Sequence, residues 1–261
     1  MTEADWDSCI DPQAMLDFLR TSGGASDRKL RLFAVACCRR IARLLEDERI
    51  RRAVEVAERH ADGLAGDAEC QAAFLAACAA RFGEGTTPPR WEDLGDSENA
   101  FRVAFWANSG AITAIDTAPI PVVEVARQVA FEAASSVAPA AAVSAPGDAG
   151  VVSDTRTAVQ DAEQVVQALL LRDLFGPLPF REVRIDPAWL IWNDGTVKKL
   201  AQAAYEERSL PEGTLDNVRL AILADALEES GFANADFLAH LRGPGPHVRG
   251  CHVVDAILGK T

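Results

Sequence analysis

The sequence predicts an all-α protein. Alanine dominates its apolar residues, and alanine has the highest intrinsic helix propensity. The alternation of Val, Ile, Thr and Tyr with polar residues that is typical of strands is nearly absent. Apolar residues instead recur at helical spacing along much of the chain. We therefore expect an irregular multi-helix bundle or a short helical-hairpin solenoid, with a Pro-rich strap at residues 176–192.

The first two helices are predicted from residues that favour helix ends. Asp11 is a favourable N-cap, Pro12 suits the first helical position, and Gly23-Gly24 ends the helix. Ser26 caps the second helix. Its apolar residues recur at i, i+3, i+4 and i+7, which places them on one face: Leu30, Phe33, Ala34, Cys37, Ile41, Leu44 and Leu45.

Two more helices are expected at about residues 48–61 and 67–82. The connections between these helices are short, so we expect neighbouring helices to pack antiparallel. Residues 83–89 are rich in glycine, threonine and proline, which predicts a loop. Helices are expected to resume at about residues 97–108 and 121–137.

Residues 138–153 separate two helical subdomains in this interpretation. They contain two prolines, two glycines and mostly small side chains, which bury too little surface to order the segment. We therefore expect a flexible Ala/Pro/Gly linker or loop between an N-terminal helical subdomain, residues 1–137, and a C-terminal helical subdomain, residues 154–261. The alternative is that both subdomains pack as one domain.

The C-terminal subdomain begins with a long predicted helix at about residues 154–175, which Gly176-Pro177 ends. The strap at residues 176–192 follows, and a short strand at residues 182–185 is an alternative for part of it. The remaining helices are expected at about residues 196–207, 215–229, 233–241 and 251–258.

The net charge of −13 disfavours generic binding to nucleic acid or to an anionic membrane. Residues 28–59, however, contain ten basic and five acidic side chains. One interpretation is a docking patch for an acidic partner or a phosphate backbone, formed by Arg28, Arg31, Arg39, Arg40 and Arg43. The other is a solvated helical face whose cations pair with acidic neighbours in the same chain.

The chain has six cysteines, and none of them forms a CxxC pair. Its first ten residues lack the basic and apolar regions of a signal peptide, and no apolar run of about 18 residues predicts a membrane span. We therefore expect reduced thiols and a cytoplasmic location.

The last part of the chain holds the candidate site. A Gly/Pro turn at residues 243–246 lies among side chains that zinc prefers as ligands: His240, His247, Cys251 and His252. Zinc is the metal that these ligands would bind, although the spacing H-x6-H-x3-C-H matches no standard zinc pattern.

Three alternatives to a metal site remain open for this segment. In the first, the turn only shapes the backbone, and the histidines pack in the core or face solvent. In the second, His247 and Arg249 bind an anion at the start of the last helix. In the third, Cys251 acts as a nucleophile that a histidine activates.

Two segments resemble known families. Residues 26–40, SDRKLRLFAVACCRR, and residues 243–251, GPGPHVRGC, resemble a large paralogous family of uncharacterised bacterial proteins. Residues 219–238 are similar to the short helical repeat-companion domain. The resemblance implies a cytoplasmic α-helical unit, frequent in interaction-rich proteins, and it transfers no activity and no residue role.

The leading functional hypothesis is a non-enzymatic α-helical protein-interaction or adaptor module, with another protein as its partner. No GxGxxG, Walker A or GxSxG motif occurs, which favours a protein that is not an enzyme. The first alternative is a metal-binding protein or enzyme that uses the C-terminal His/Cys cluster. The second is nucleic-acid binding through the basic helices of residues 28–59.

Overall fold

The structure, a computed structural model, describes residues 1–84, 122–143, 149–177, 180–181 and 185–260. Within these ranges the chain forms eleven α-helices and no strand, which confirms the predicted all-α fold. Backbone pairing between extended segments is limited there to isolated bridges, Ser209 with Thr214 and Thr214 with Val248. The helix predicted at residues 97–108 lies outside the described residues.

The helices follow one another in this order: α1 (Glu3–Ser8), α2 (Pro12–Ser22), α3 (Asp27–Arg40), α4 (Glu48–Ala61), α5 (Asp67–Phe82), α6 (Val122–Val143), α7 (Ala149–Phe175), α8 (Pro187–Glu206), α9 (Asn217–Glu229), α10 (Ala235–Arg242) and α11 (His252–Leu258). A short 3-10 turn, Ala42–Leu44, lies between α3 and α4. The chain divides into two compact units. We call Met1–Ser8 with Leu169–Thr261 the terminal unit and Cys9–Ala168 the central unit.

The central unit is built around α3, which packs against α4 and α6. Helix α2 also packs against α6, and α4 packs against α5. The predicted caps form: the Asp11 carboxylate accepts from the Gln13 amide, and the Ser26 hydroxyl accepts from the Lys29 amide. The apolar face predicted for this helix is largely buried. Its members within α3 all lie in the interior: Leu30, Phe33, Ala34 and Cys37. Beyond the end of α3, Ile41 and Leu45 are buried and Leu44 is half-buried.

The terminal unit packs α8 against α9 and α11, and α9 against α10. Helix α8 begins at Pro187, inside the segment predicted as a strap, because Asp186 caps it and proline at the first helical position needs no N–H partner. The helix is interrupted at Trp192, where Asn193 and Asp194 adopt positive φ angles before the helix resumes. Residues 182–184, where a short strand was the alternative, lie outside the described residues.

Two helices extend into the segment predicted as a linker: α6 ends at Val143, and α7 begins at Ala149. Residues 144–148 lie outside the described residues, so the predicted linker and the two subdomains beside it stay predictions. Among the helices that the structure describes, none combines the length and the apolar character that crossing a bilayer requires.

Candidate metal centre

A carboxylate lies in the interior of the terminal unit, in the last turn of α7. Asp173 lies in a run of buried residues that includes Leu171, Leu174 and Phe175, and its own side chain is 2% exposed. Its Oδ1 lies 2.8 Å from His247 Nδ1 and 3.1 Å from His240 Nε2. Its Oδ2 accepts a hydrogen bond from the Val248 amide at 2.8 Å. A buried charge is tolerated only where such partners compensate its lost hydration.

Three neighbouring segments supply the other side chains of the site. His240 lies in α10, whose first turn is capped by Asn234. His247 follows the Gly/Pro turn, and Cys251 directly precedes α11. One donor atom from each of Asp173, His240, His247 and Cys251 lies within 4.8 Å of all the others.

The Gly/Pro turn is held against the start of α9. The Leu215 amide donates to the His247 carbonyl at 2.9 Å, and the Asn217 side chain donates to the Pro244 carbonyl at 3.1 Å. Gly245 has a φ of +82°, and a Cβ there would lie 2.7 Å from the backbone nitrogen of His247. Glycine is therefore required at this position for the turn to deliver His247 to the site.

The four donor atoms converge on one point and do not form a relay. His240 contacts Asp173 and Cys251 through the same nitrogen, Nε2, at 3.1 and 3.3 Å. In a nucleophile–histidine–carboxylate triad the histidine uses its two opposite nitrogens for its two partners. The arrangement is therefore that of ligands around a centre, and it argues against Cys251 as a nucleophile activated by His240.

The electrostatics of the site follow from burial and from the carboxylate. Burial disfavours the charged form of Asp173, but hydrogen bonds from His240 and His247 outweigh it and hold the pKa of the carboxyl well below its usual range. Burial alone would lower the pKa of His247, but the hydrogen bond to Asp173 and the charge of that carboxylate outweigh burial, so the pKa lies above its ordinary value. Burial, followed by the charge of Asp173, raises the pKa of the Cys251 thiol well above its ordinary value. Without an ion, the Cys251 thiol therefore keeps its proton. A bound cation would reverse this, because metal-bound thiols are deprotonated.

Of the four ligands predicted from the sequence, three converge and one does not. His252 lies next to the site, but its Nδ1 lies 2.9 Å from the Asp173 carbonyl oxygen. Asp173 instead completes the group of four. Asp173 was missed because it lies 67 residues before His240 in sequence. The signal that could have found it is a carboxylate on the apolar face of a long helix.

The two residues predicted to bind an anion contact different neighbours. His247 faces the carboxylate of Asp173, and the Arg249 guanidinium lies 4.9 Å from the centre of the Tyr205 ring. The carboxylate beside His247 already carries the charge that an anion would bring. This geometry does not favour an anion at His247.

The basic residues predicted as an interaction patch are largely engaged inside the central unit. Arg28 pairs with Asp62 at 2.9 Å and Arg39 with Glu58 at 2.6 Å. Arg40 makes two contacts of 2.7 Å with the carboxylate of Glu163. Arg31 is half-buried, and Arg43 is exposed. Arg28, Arg39 and Arg40 thus show the pairing with acidic neighbours in the same chain that was the other interpretation of this stretch.

No family model, curated protein or solved structure matches this chain. The resemblance to the paralogous bacterial family therefore stays a prediction, and functional inference depends on the geometry described above.

Proposed function

We propose that the protein binds a zinc ion through Asp173, His240, His247 and Cys251, and that this ion is structural. The observation that supports the proposal is the convergence of four donor atoms within 4.8 Å of one another. Two imidazoles, a thiolate and a carboxylate are donor types that zinc takes in proteins. The donors come from α7 and from a segment that begins 67 residues later in sequence.

The separations between donor atoms lie on both sides of those around a tetrahedral ion. Zinc–nitrogen distances of about 2.0–2.1 Å place neighbouring ligand atoms of a tetrahedron roughly 3.4 Å apart. Three contacts within the group, of 2.8, 3.1 and 3.3 Å, are shorter than this, and the whole group extends over up to 4.8 Å, so the side chains would shift to hold the ion. The outer nitrogen of His247 lies 3.3 Å from the Gly243 carbonyl, a partner of the kind that orients metal-ligating histidines.

A structural role fits the donor count and the burial better than catalysis does. Catalytic zinc keeps a coordination position open for water or substrate, whereas structural zinc has four protein ligands. Here four side chains are available, and Asp173, His247 and Cys251 are all buried. The ion would fasten the end of α7 to the Gly/Pro turn and to the start of α11.

Metal analysis of the purified protein tests the proposal. We expect about one zinc per chain after reconstitution, and loss of that zinc in His247→Ala and in Cys251→Ser. His60→Ala and Cys9→Ser are matched controls, because His60 and Cys9 lie outside the group, and both variants should retain zinc. A wild-type protein that takes up no zinc from a buffered solution would rule the proposal out.

A second proposal is the protein-interaction module that the sequence suggests. It is favoured by two aliphatic side chains one turn apart on α9, Val218 and Ile222, which are 69% and 48% exposed. A scaffold fastened by an ion would present such a surface in a fixed geometry. The double variant Val218→Glu, Ile222→Glu should keep its zinc and its melting temperature while losing its bound partner protein; retention of the partner would discard this surface.

A further inference from the structure

A third imidazole borders the proposed centre without belonging to its ligands. His252 is the first residue of α11, follows Cys251 directly, and is 5% exposed. Its Nδ1 lies 2.9 Å from the Asp173 carbonyl oxygen. A carbonyl only accepts hydrogen bonds, so Nδ1 is the donor in this contact. The side chain of His252 therefore donates a hydrogen bond to the main chain of Asp173, one of the proposed ligands.

The Asp173 carbonyl lies in the last turn of α7, where carbonyls lack intrahelical donors, and the residue four positions later cannot supply one. In a helix, the carbonyl of residue i accepts from the amide of residue i+4. Position i+4 is Pro177, which has no N–H. The preceding helical bond does form, from the Gly176 amide to the Arg172 carbonyl at 2.8 Å. His252 therefore supplies the hydrogen bond that Pro177 cannot.

The same imidazole packs against a second ligand. The centres of the His252 and His240 rings are 4.3 Å apart, and the ring planes are inclined by 55°. The ring of Phe237 contacts His252 edge-on, with 5.5 Å between centres. His252 thus contacts the main chain of Asp173 and the ring of His240 at once.

Gly176 makes room for the imidazole. A Cβ at this position would lie 2.5 Å from His252 Cδ2, closer than such atoms approach one another. The φ of Gly176 is +48°, the left-handed conformation in which glycine commonly ends a helix. The turn that ends α7 therefore also forms the wall against which His252 lies.

We infer that His252 is a positioning residue of the metal centre, which fixes the Asp173 main chain and the His240 ring in the geometry that the ion requires. The inference rests on the proposed zinc site. Residues that orient metal ligands typically change metal affinity by about 10–100-fold when they are replaced. A residue that served only the core would change stability without changing the coordination of the ion.

Two substitutions at His252 distinguish the contribution of its hydrogen-bond donor from that of its ring packing. His252→Phe keeps a ring beside His240 and removes the donor, whereas His252→Asn restores an N–H donor near the Asp173 carbonyl. We expect His252→Phe to lower zinc affinity by about 10–100-fold and to alter the visible spectrum of the Co²⁺-substituted protein. His252→Asn should recover most of the affinity and the wild-type spectrum.

Further variants keep the test decisive if His252→Phe fails to fold. Gly176→Ala changes no proposed ligand and no donor, but its methyl group would lie against the imidazole, so it should shift the Co²⁺ spectrum in the same direction. Alanine is also strained at this positive φ, and Gly259→Ala, with a φ of +67° and open space at its Cβ, controls for that strain and should leave the spectrum unchanged. Phe232→Leu is the control, because this buried ring packs against Trp189 and Phe237; it should lower stability while leaving the spectrum unchanged. Wild-type affinity and spectra in both His252→Phe and Gly176→Ala would overturn the inference. Wild-type protein that binds neither zinc nor cobalt would instead overturn the site itself.

Discussion

His247 Nδ1 lies 2.8 Å from Asp173 Oδ1, although 74 residues separate the two in sequence. Both side chains are 2% exposed, so the contact is shielded from water. Such a contact between distant segments fixes how the C-terminal residues meet the end of α7. The terminal unit therefore depends on a polar cluster inside its core as well as on apolar packing.

Removal of the carboxylate should destabilise the protein even without metal. Asp173→Ala leaves two imidazoles and the Val248 amide without their acceptor in a buried place. Breaking a buried pair by removing one partner costs about 3–5 kcal/mol of unfolding free energy. Urea denaturation in the presence of a chelator measures this loss. Asp225→Ala is the control, because that carboxylate pairs with Arg242 on the surface and should matter little.

The metal-free and zinc-loaded proteins should respond to pH in opposite directions. Hydrogen bonds to His240 and His247 outweigh burial and depress the pKa of Asp173, so its contribution is present above its unfolded value of 3.8 and is lost in acid. The pKa of His247 is raised despite burial, so its contribution is present below 6.5 and is lost as pH rises through the folded value. The pair therefore stabilises the metal-free protein more at pH 5 than at pH 8.

Zinc reverses this order, because protons compete with the ion for histidine, thiolate and carboxylate ligands. Unfolding free energies at pH 5 and pH 8, with chelator and with zinc, measure both trends. The Asp173→Asn variant should lose both. Identical pH profiles with and without zinc would speak against metal binding at these residues.

Thiol reactivity should separate Cys9 from the other five cysteines. Burial raises the pKa of Cys38 to about 12 and that of Cys78 to about 11, while Cys9 is only half-buried. Because the thiolate is the reactive form, native protein at pH 8 should show one fast thiol towards a chromogenic disulfide. The remaining thiols should react on unfolding, and Cys9→Ser should remove the fast phase. Any fast thiol that remains in that variant would contradict the burial of the other five.

The Arg39–Glu58 pair should contribute to folding and not to binding. The two side chains are 8% and 3% exposed and lie 2.6 Å apart. Arg39→Ala would remove one partner of a buried ion pair, and breaking a buried pair in this way costs about 3–5 kcal/mol. Arg52→Ala is the matched control, since Arg52 pairs with Glu55 at the surface. Equal urea midpoints for the two variants would show that the Arg39 pair is not structural.

The capping signals of the sequence were sufficient for several elements of the fold. Asp11 and Ser26 cap the helices predicted from them, because a cap depends on residues within one turn. Asp186-Pro187 carries the same signal as Asp11-Pro12, but the aromatic and proline-rich neighbours favoured a strap over the helix that forms there. Local signals were therefore misjudged only where composition argued against them.

The candidate site was predictable only in part. His240, His247 and Cys251 are close in sequence, and a Gly/Pro turn brings them together, so their residue types were sufficient to predict them. Asp173 depends on tertiary packing that no local pattern encodes. His252 was assigned as a ligand by residue type, but Pro177 leaves the Asp173 carbonyl without a helical donor, and His252 takes that role.

X-ray absorption at the zinc edge of the reconstituted protein tests the central claim most directly. The account predicts a four-coordinate ion with one sulfur at about 2.3 Å and three nitrogen or oxygen neighbours at about 2.0–2.2 Å. In Cys251→Ser the sulfur contribution should disappear. A shell of oxygen and nitrogen alone in the wild-type protein, unchanged by Cys251→Ser, would contradict it.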